Sequence, residues 1–544
     1  MHYLPGARRV AGFLLIGVLA GCSGGGGDEA TRTEISTNAI TFRAATLDAT
    51  VPAQTFTATF GEDIAHLAVV HSGAAITSAT SVLNGRTAQI TVTPAAANTI
   101  GPGAFVGAVA VTGYTCADAT CTRLSAGSSA TVSVNYQVSP VIQRVAPYVA
   151  VANTTDTVLI GGLGFRNFNV NGVRFGDTPA INIDTNNINS SGTEIAATHG
   201  PLPAGTYPVR LMAPDHDGEI PTSVNLVVVD PVAYAATTLA HPSGASVVRS
   251  LSYDFERRAL LVVTDAASGP LARYAYENGA WSTPTQATAA LLDAALTATG
   301  SQIFGITSTT LVPIDPVTLA LGTAVSAPSL ETNSALKNIV VGNDNRALIT
   351  TSLTTSGTTP GYIYDPGTNA VLLIASPELN NGTPVMAANG SAAVIVQGDP
   401  TLTSDVAVYK YLTAGNQLSS AGTPTLRQNT VPPAIDRSVT RVVLNGLRVY
   451  DGAFAFLGTL PTTTAAVVLK PNGKRAYAYD PTAGGIVVYD VSVDRDEAAY
   501  APLGAAVPLV GDPGTGVRMA ITPDGGTLFV AGSSQIVVQP TPAL

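Results

Sequence analysis

Pro471-Asn-Gly-Lys474 and Pro523-Asp-Gly-Gly526 decide the fold: each is a tight polar turn next to an apolar strand, such as Thr527-Leu-Phe-Val530. Asn-Gly and Asp-Gly tolerate the positive φ angles that strand-joining turns require. Working outward, the same unit recurs at Asp254-Phe-Glu-Arg257, Ala298-Thr-Gly-Ser301, Asn343-Asp-Asn-Arg346, Ala388-Asn-Gly-Ser391 and Ile435-Asp-Arg-Ser438. Strands such as Ala259-Leu-Leu-Val-Val263 and Ala393-Val-Ile-Val396 follow these turns. With Phe255, Thr299, Asp344, Asn389, Asp436, Asn472 and Asp524 as markers, the gaps are 44, 45, 45, 47, 36 and 52 residues. Their mean is about 45, the length of a four-stranded propeller blade. The repeats predict a seven-bladed β-propeller over residues 231–544.

A second marker sits inside the repeats. Ile314-Asp315-Pro, Tyr364-Asp365-Pro, Tyr450-Asp451-Gly and Tyr489-Asp490 each end a third strand and begin a turn. Together with the Pro-Asn-Gly-Lys and Pro-Asp-Gly-Gly turns, this resembles the YVTN-type family of β-propellers. That resemblance implies the propeller fold and brings in lactonase-like and quinoprotein relatives as an enzyme alternative. The last repeat stops after Gln535-Ile-Val-Val538, one strand short. Val232 to Leu239 is predicted to supply the missing outer strand, which would leave the ring no open edge.

Upstream, residues 140–230 carry three ordered motifs: Thr157-Val-Leu-Ile-Gly-Gly-Leu-Gly-Phe165, Val173-Arg-Phe-Gly176 and Ala204-Gly-Thr-Tyr-Pro-Val209. They resemble the IPT/TIG family of Ig-like domains. Gly161, Gly162 and Gly164 permit an irregular turn after a strand, and Phe165 is expected to plug the end of the sandwich. Residues 32–139 alternate with period two, as in Thr55-Phe-Thr-Ala-Thr-Phe60 and Ala130-Thr-Val-Ser-Val-Asn-Tyr136. Short alternating strands over about 100 residues predict another Ig-like β-sandwich. The fold class expected is all-β: two Ig-like β-sandwich domains followed by a seven-bladed β-propeller, the sandwiches acting as a stalk.

The first residues give an address. Arg8 and Arg9 precede an apolar core of eleven residues, Val10 to Ala20, too short to span a bilayer. Residues 1–21 therefore read as a secretory signal. Leu19-Ala-Gly-Cys22 resembles the lipobox of bacterial lipoproteins, which implies cleavage before Cys22 and acylation of that residue. Residues 22–31, rich in Gly, form a flexible tether. Ser23 follows the cysteine, and in lipoproteins this goes with sorting to the outer membrane, facing either the periplasm or the cell surface.

Composition sets further limits. Hydrophobic residues make up 46% of the 544 and charged residues only 11%, which excludes a charge-driven disordered chain. Formal net charge is −10, and loss of the two signal arginines takes it to −12. With four lysines and no basic cluster, nucleic acid is not an expected partner. Cys116 and Cys121 are the only cysteines besides Cys22, and in an oxidising compartment they are expected to form a local disulfide.

Candidate chemistry is sparse. No histidine occurs from Pro242 onward and the propeller has no cysteine, so a zinc, copper or haem site and a Ser-His-Asp system are not expected there. Asp215-His-Asp-Gly-Glu219 is dense in ligand types, but it lacks the spacing of a calcium loop and reads as a hairpin turn. His66 and His71 fall on opposite faces of a strand. Asp315, Asp365, Asp451 and Asp490 are expected to cap their own turns, and Trp281 to pack in a blade. Loops after second strands are expected at the propeller mouth, with small and uncharged content apart from Asp265, Asp399 and Asp480, the candidate ligand residues. No catalytic residue, metal or cofactor is assigned. The expected function is recognition of a protein or glycan partner by a lipid-anchored envelope protein. A propeller enzyme and a purely structural envelope component are the alternatives.

Overall fold

The computed structural model describes residues 33–543, apart from 117–123, 169, 185–191, 214–218, 221, 243–244, 268–269, 329, 354–358, 375–376, 378, 380, 398–406, 422–430 and 462–463. Cys22, Cys121, Asp399 and residues 215–218 thus lie outside the described residues, as does the whole N-terminal segment through residue 32. Strands dominate, and the described α-helix is one turn, Ala97–Ile100. The fold is all-β.

The N-terminal unit comprises two four-stranded sheets. One runs Glu34–Ile35, Gln54–Thr59, Thr87–Pro94, Ile76–Asn84; the other Ala39–Ala44, Leu124–Val138, Gly103–Tyr114, His66–Ser72. Alternation dictates the core. In Ala39–Ala44 every second residue (Ile40, Phe42, Ala44) is buried, and Ile90 and Val92 repeat the pattern in Thr87–Pro94. The Phe60 ring leaves no room for a side chain on Gly113, where a Cβ would come within 2.8 Å of it. Half-buried His66 lies beside Tyr114, and His71 is exposed.

A second sandwich follows. One sheet runs Asn182–Asp184, Glu194–His199, Asp156–Leu163, Val141–Ala146; the other is built on Val149–Val151, Asn225–Val229, Gly205–Met212 and Gly172–Phe175. The ladder slips by one residue between Gly161 and Gly162, and a Cβ on Gly162 would sit 2.0 Å from the Val141 carbonyl. Gly164 takes φ +81°, which lets the chain turn and drive Phe165 into the core, fully buried beside Phe168 and Phe175. The glycine run works as the sequence suggests.

From Thr237 to Pro540 the described residues form seven sheets, six of four strands and the first of five, and in all but the last the strands of the main path pair in chain order. Sheet 1 begins with Val248–Asp254, sheet 2 with Asp293–Leu296, sheet 3 with Ser334–Val341 and sheet 4 with Thr383–Met386. Sheets 5, 6 and 7 begin with Ala434–Ile435, Ala466–Leu469 and Arg518–Ile521. These first strands pack side by side around a ring, and that of sheet 7 meets that of sheet 1. Closure comes from Thr237–Leu239, which pairs antiparallel with Ile536–Val538 as the outer strand of sheet 7. Apolar clusters fill the space between neighbouring sheets, such as Val394, Val396, Val442 and Leu444 between sheets 4 and 5.

The uneven repeat gaps of 36 and 52 residues have a structural cause. The second is stretched by residues 491–506, which lie between the third and fourth strands of sheet 6. That insertion serves sheet 5: Tyr500 is buried against it, and its N–H donates to the Thr459 carbonyl at 2.7 Å. Arg441 of sheet 5 donates to the Val491 and Ser492 carbonyls at 2.9 and 3.0 Å. Sheet 6 lends its neighbour the residues that the short repeat lacks.

Candidate functional site

The second sandwich packs directly on the propeller. It belongs to the same compact unit as the propeller and docks on the turns between first and second strands. The Tyr148 hydroxyl donates to Glu256 Oε2 at 2.8 Å, and Arg257 bridges Glu256 and Asp254 at 3.2 and 2.9 Å. Burial raises the Tyr148 hydroxyl far above its ordinary pKa, with Asp254 and Glu256 adding to it, so the phenol is a fixed donor. Arg437 pairs with Asp156. Asn343 donates to Glu194 at 3.1 Å, and Glu194 is also held by Arg144 at 3.6 Å. Val149, Val151 and Phe255 are the apolar part of the contact.

This docking has a consequence for the central channel. Ala146, Pro147, Tyr148 and Val149 line a cavity of about 430 Å³ together with the late halves of the first strands, so the sandwich lies across that end. Toward the other end the channel widens into a second cavity of about 720 Å³. Its wall is made by the early halves of the first strands, where Val247 and Arg249 are exposed to solvent. That end is open. The volume is within the range of small-ligand sites.

The residues at the open end are not the ones the sequence suggested. Asp265 and Asp480 are absent from the wall, and Asp399 lies outside the described residues. The Asp265 carboxylate accepts the Ser246 hydroxyl at 2.7 Å and the Ser246 and Val247 N–H groups at 2.8 Å. Those bonds, the Ser246 hydroxyl first, hold its pKa down at about 2. Asp480 accepts the Thr482 and Ala483 N–H groups at 2.8 and 3.2 Å. Asp265 ties down the segment that enters the first strand of sheet 1, nineteen residues earlier in the chain, whereas Asp480 is a local cap of its own turn. Asp315, Asp365, Asp451 and Asp490 cap their turns in the same way, and Trp281 packs on Tyr234 and Tyr276.

Instead, four charged residues from first strands line the channel: Arg249 of sheet 1, Asp293 of sheet 2, Lys337 of sheet 3 and Arg518 of sheet 7. The expectation of a small, uncharged mouth is therefore corrected. In a ring of radial sheets the innermost strand faces the axis, so its side chains, not the loop tips, make the wall. A lone charge inside a short apolar strand is the signal that marks them, as in Val248-Arg-Ser250, Leu336-Lys-Asn338 and Val517-Arg-Met519.

Asp293 sits where the two cavities meet, only 8% exposed. Its oxygens accept the Ala294 and Ile339 N–H groups at 2.8 and 2.9 Å. Burial outweighs these bonds, the Ser250 hydroxyl and the Arg518 charge, and lifts its pKa from 3.8 to about 6. An acid raised on folding binds more protons folded than unfolded between those values. Its contribution to stability is therefore largest below pH ~4 and falls as pH rises through ~6, by about 3 kcal/mol in all. Asn at this position faces one of the two N–H donors with its own amide, a cost that does not depend on pH. So Asp293→Asn should remove this slope: melting at pH 4 and pH 7 should differ less in the variant than in the parent. Parallel pH–melting curves for the two proteins would refute it.

Residues 140–228 match the IPT/TIG domain family, in agreement with the second sandwich. No curated protein sequence matches the chain. Among solved structures, similarity extends to hydrazine synthase of Kuenenia stuttgartiensis, at 10% identity and TM-score 0.43 over 56% of this chain and 98% of that one. The β-propeller domain of Cps50 (Swd1) from Myceliophteria thermophila gives 8% and 0.41, over 57% of this chain and all of that one. A gluconolactonase from Xanthomonas campestris gives 12% and 0.35, over 56% and 90%.

Proposed function

We propose that the chain is a lipid-anchored envelope protein whose propeller binds a protein or glycan partner at its open mouth, without catalysis. The observation that supports this reading is the sandwich lying across one end of the channel, which directs recognition to the other. Cys22 carries the anchor, residues 23–31 let the folded part stand off the outer membrane, and Cys116 is bridged to Cys121. The alternative, a propeller enzyme, has one observation in its favour: Asp293, a carboxyl titrating near neutrality beside a cavity, as a general base does. Against it, both Asp293 oxygens already accept backbone N–H groups.

Two measurements test the reading. Cys22→Ser should abolish lipid labelling and release the protein from the membrane fraction, since stable anchoring takes more than one acyl chain. A variant that stays in the outer membrane would overturn the anchor. The parent protein should hydrolyse gluconolactone no faster than buffer does. Turnover that Asp293→Asn abolishes would replace recognition by catalysis.

A further inference from the structure

Arg249, Lys337 and Arg518 come from three separate sheets, yet they share one cavity. The chain has only four lysines and an overall charge of −10, so three cations in one hollow run against its composition. None of the three forms an ion pair among the described residues; their bonds go to main-chain carbonyls. Lys337 Nζ donates to the Asn381 carbonyl at 3.1 Å, Arg249 to Leu291 at 3.3 Å, and Arg518 to Arg249 and Val517 at 3.4 Å. Such bonds orient the cations but leave their charge unneutralised.

Among the described residues the only acid on this wall is Asp293, and its oxygens accept from backbone donors. The lining thus carries an excess of positive charge in a partly buried place. Like charges brought together out of water are costly, and the molecule shows that cost: burial and the Arg518 charge hold the Lys337 ammonium below its ordinary pKa. Burial also lowers Arg518, with Asp293 opposing. A bound anion is what relieves this arrangement. The remaining wall is mixed, with Ser250, Asn338 and Ser352 beside Leu251, Pro384 and Val467, which suits an organic anion better than a bare ion.

We infer that the open end of the central channel is a binding site for a small organic anion bearing carboxylate or phosphate groups, held by Arg249, Lys337 and Arg518. The inference rests on the recognition reading above and supplies the chemistry of what is recognised. Arginine presents paired N–H donors that match either oxyanion, whereas lysine acts as a point charge. Whether the anion is free or is the end group of a larger partner, the same three cations receive it.

Calorimetric titration of the soluble form (residues 28–544) with citrate, glucose 6-phosphate and glucose decides the matter. Citrate or glucose 6-phosphate should bind, glucose should not, and affinity should fall as salt is raised. Arg518→Gln and Lys337→Met should each weaken binding tenfold or more. Arg86→Gln, an exposed pair with Asp63 in the N-terminal unit, should leave it unchanged. Circular dichroism melting separates lost binding from lost fold, and Arg249→Gln on the exposed rim serves if the more buried variants unfold. Absence of binding by both anions at millimolar concentration, or binding indifferent to all three substitutions, overturns the inference. If that happens while Cys22→Ser still releases the protein and gluconolactone is still not hydrolysed, only the anion site falls and the recognition reading stands.

Discussion

Deleting Val232 to Leu239 should lower the melting temperature of the propeller by ten degrees or more, whereas trimming Pro542 to Leu544 should change it little. The segment supplies the outer strand of sheet 7, Thr237–Leu239, and two of its residues are built into the core between sheets 7 and 1. Tyr234 packs on Tyr276 and Trp281 at 4.6 and 5.0 Å between ring centroids. Its hydroxyl bonds that of Tyr253. Leu239 is buried in the same cluster, and the adjoining Ala240 carbonyl accepts the Tyr274 hydroxyl at 2.8 Å. Burying two such side chains is worth roughly 1.5–3 kcal/mol each. With the lost strand pairing, the total is on the order of 5 kcal/mol, against about 5–15 kcal/mol for a whole domain. At 2–4 °C per kcal/mol for a domain of this size, the shift is large. Leu239→Asp reaches the same core without shortening the chain and should act in the same direction. Equal melting of the deletion and the trimmed protein would mean that the ring closes without this strand.

What the sequence made legible was whatever repeats locally. Polar turns such as Pro471-Asn-Gly-Lys474 and the strands beside them recur often enough to announce radial sheets, and Gly161-Gly-Leu-Gly-Phe165 announces a sandwich. Even closure could be read, because one strand was missing at one end and one was spare at the other. The site was illegible for a different reason. Arg249 and Arg518 are separated by almost the whole propeller, and only closure of the ring makes them neighbours. Each sits alone in its strand with no partner at a recognisable spacing. Loop acids drew attention because turns are polar by nature, but Asp480 caps its own turn and Asp265 holds the backbone of Ser246 and Val247. The docking of the second sandwich was hidden too, since single residues (Tyr148, Asp156, Glu194) carry it and no local pattern marks them.

That docking leads to the second large effect. Asp156→Ala should cost about 3–5 kcal/mol, because it leaves the Arg437 guanidinium buried without its counter-ion. Arg437 is 13% exposed and Asp156 26%. Burial alone already lowers the arginine's pKa to about 10, so the unpaired charge has little water to turn to. The Asp156 pair is made through Nη1, and Nη2 has no hydrogen-bond partner among the described residues. The effect should be seated at the contact: hydrogen exchange should quicken across Val149–Val151 and the turn at Phe255, while Phe165 and the rest of the sandwich core stay protected. A charge stranded in a contact is cured by removing it, so Asp156→Leu combined with Arg437→Met should recover most of the loss. If the two single changes are mild and simply add, the pair does not hold the sandwich on the ring. The channel would then not be closed at that end by a fixed lid, and recognition from a single mouth would lose its structural basis.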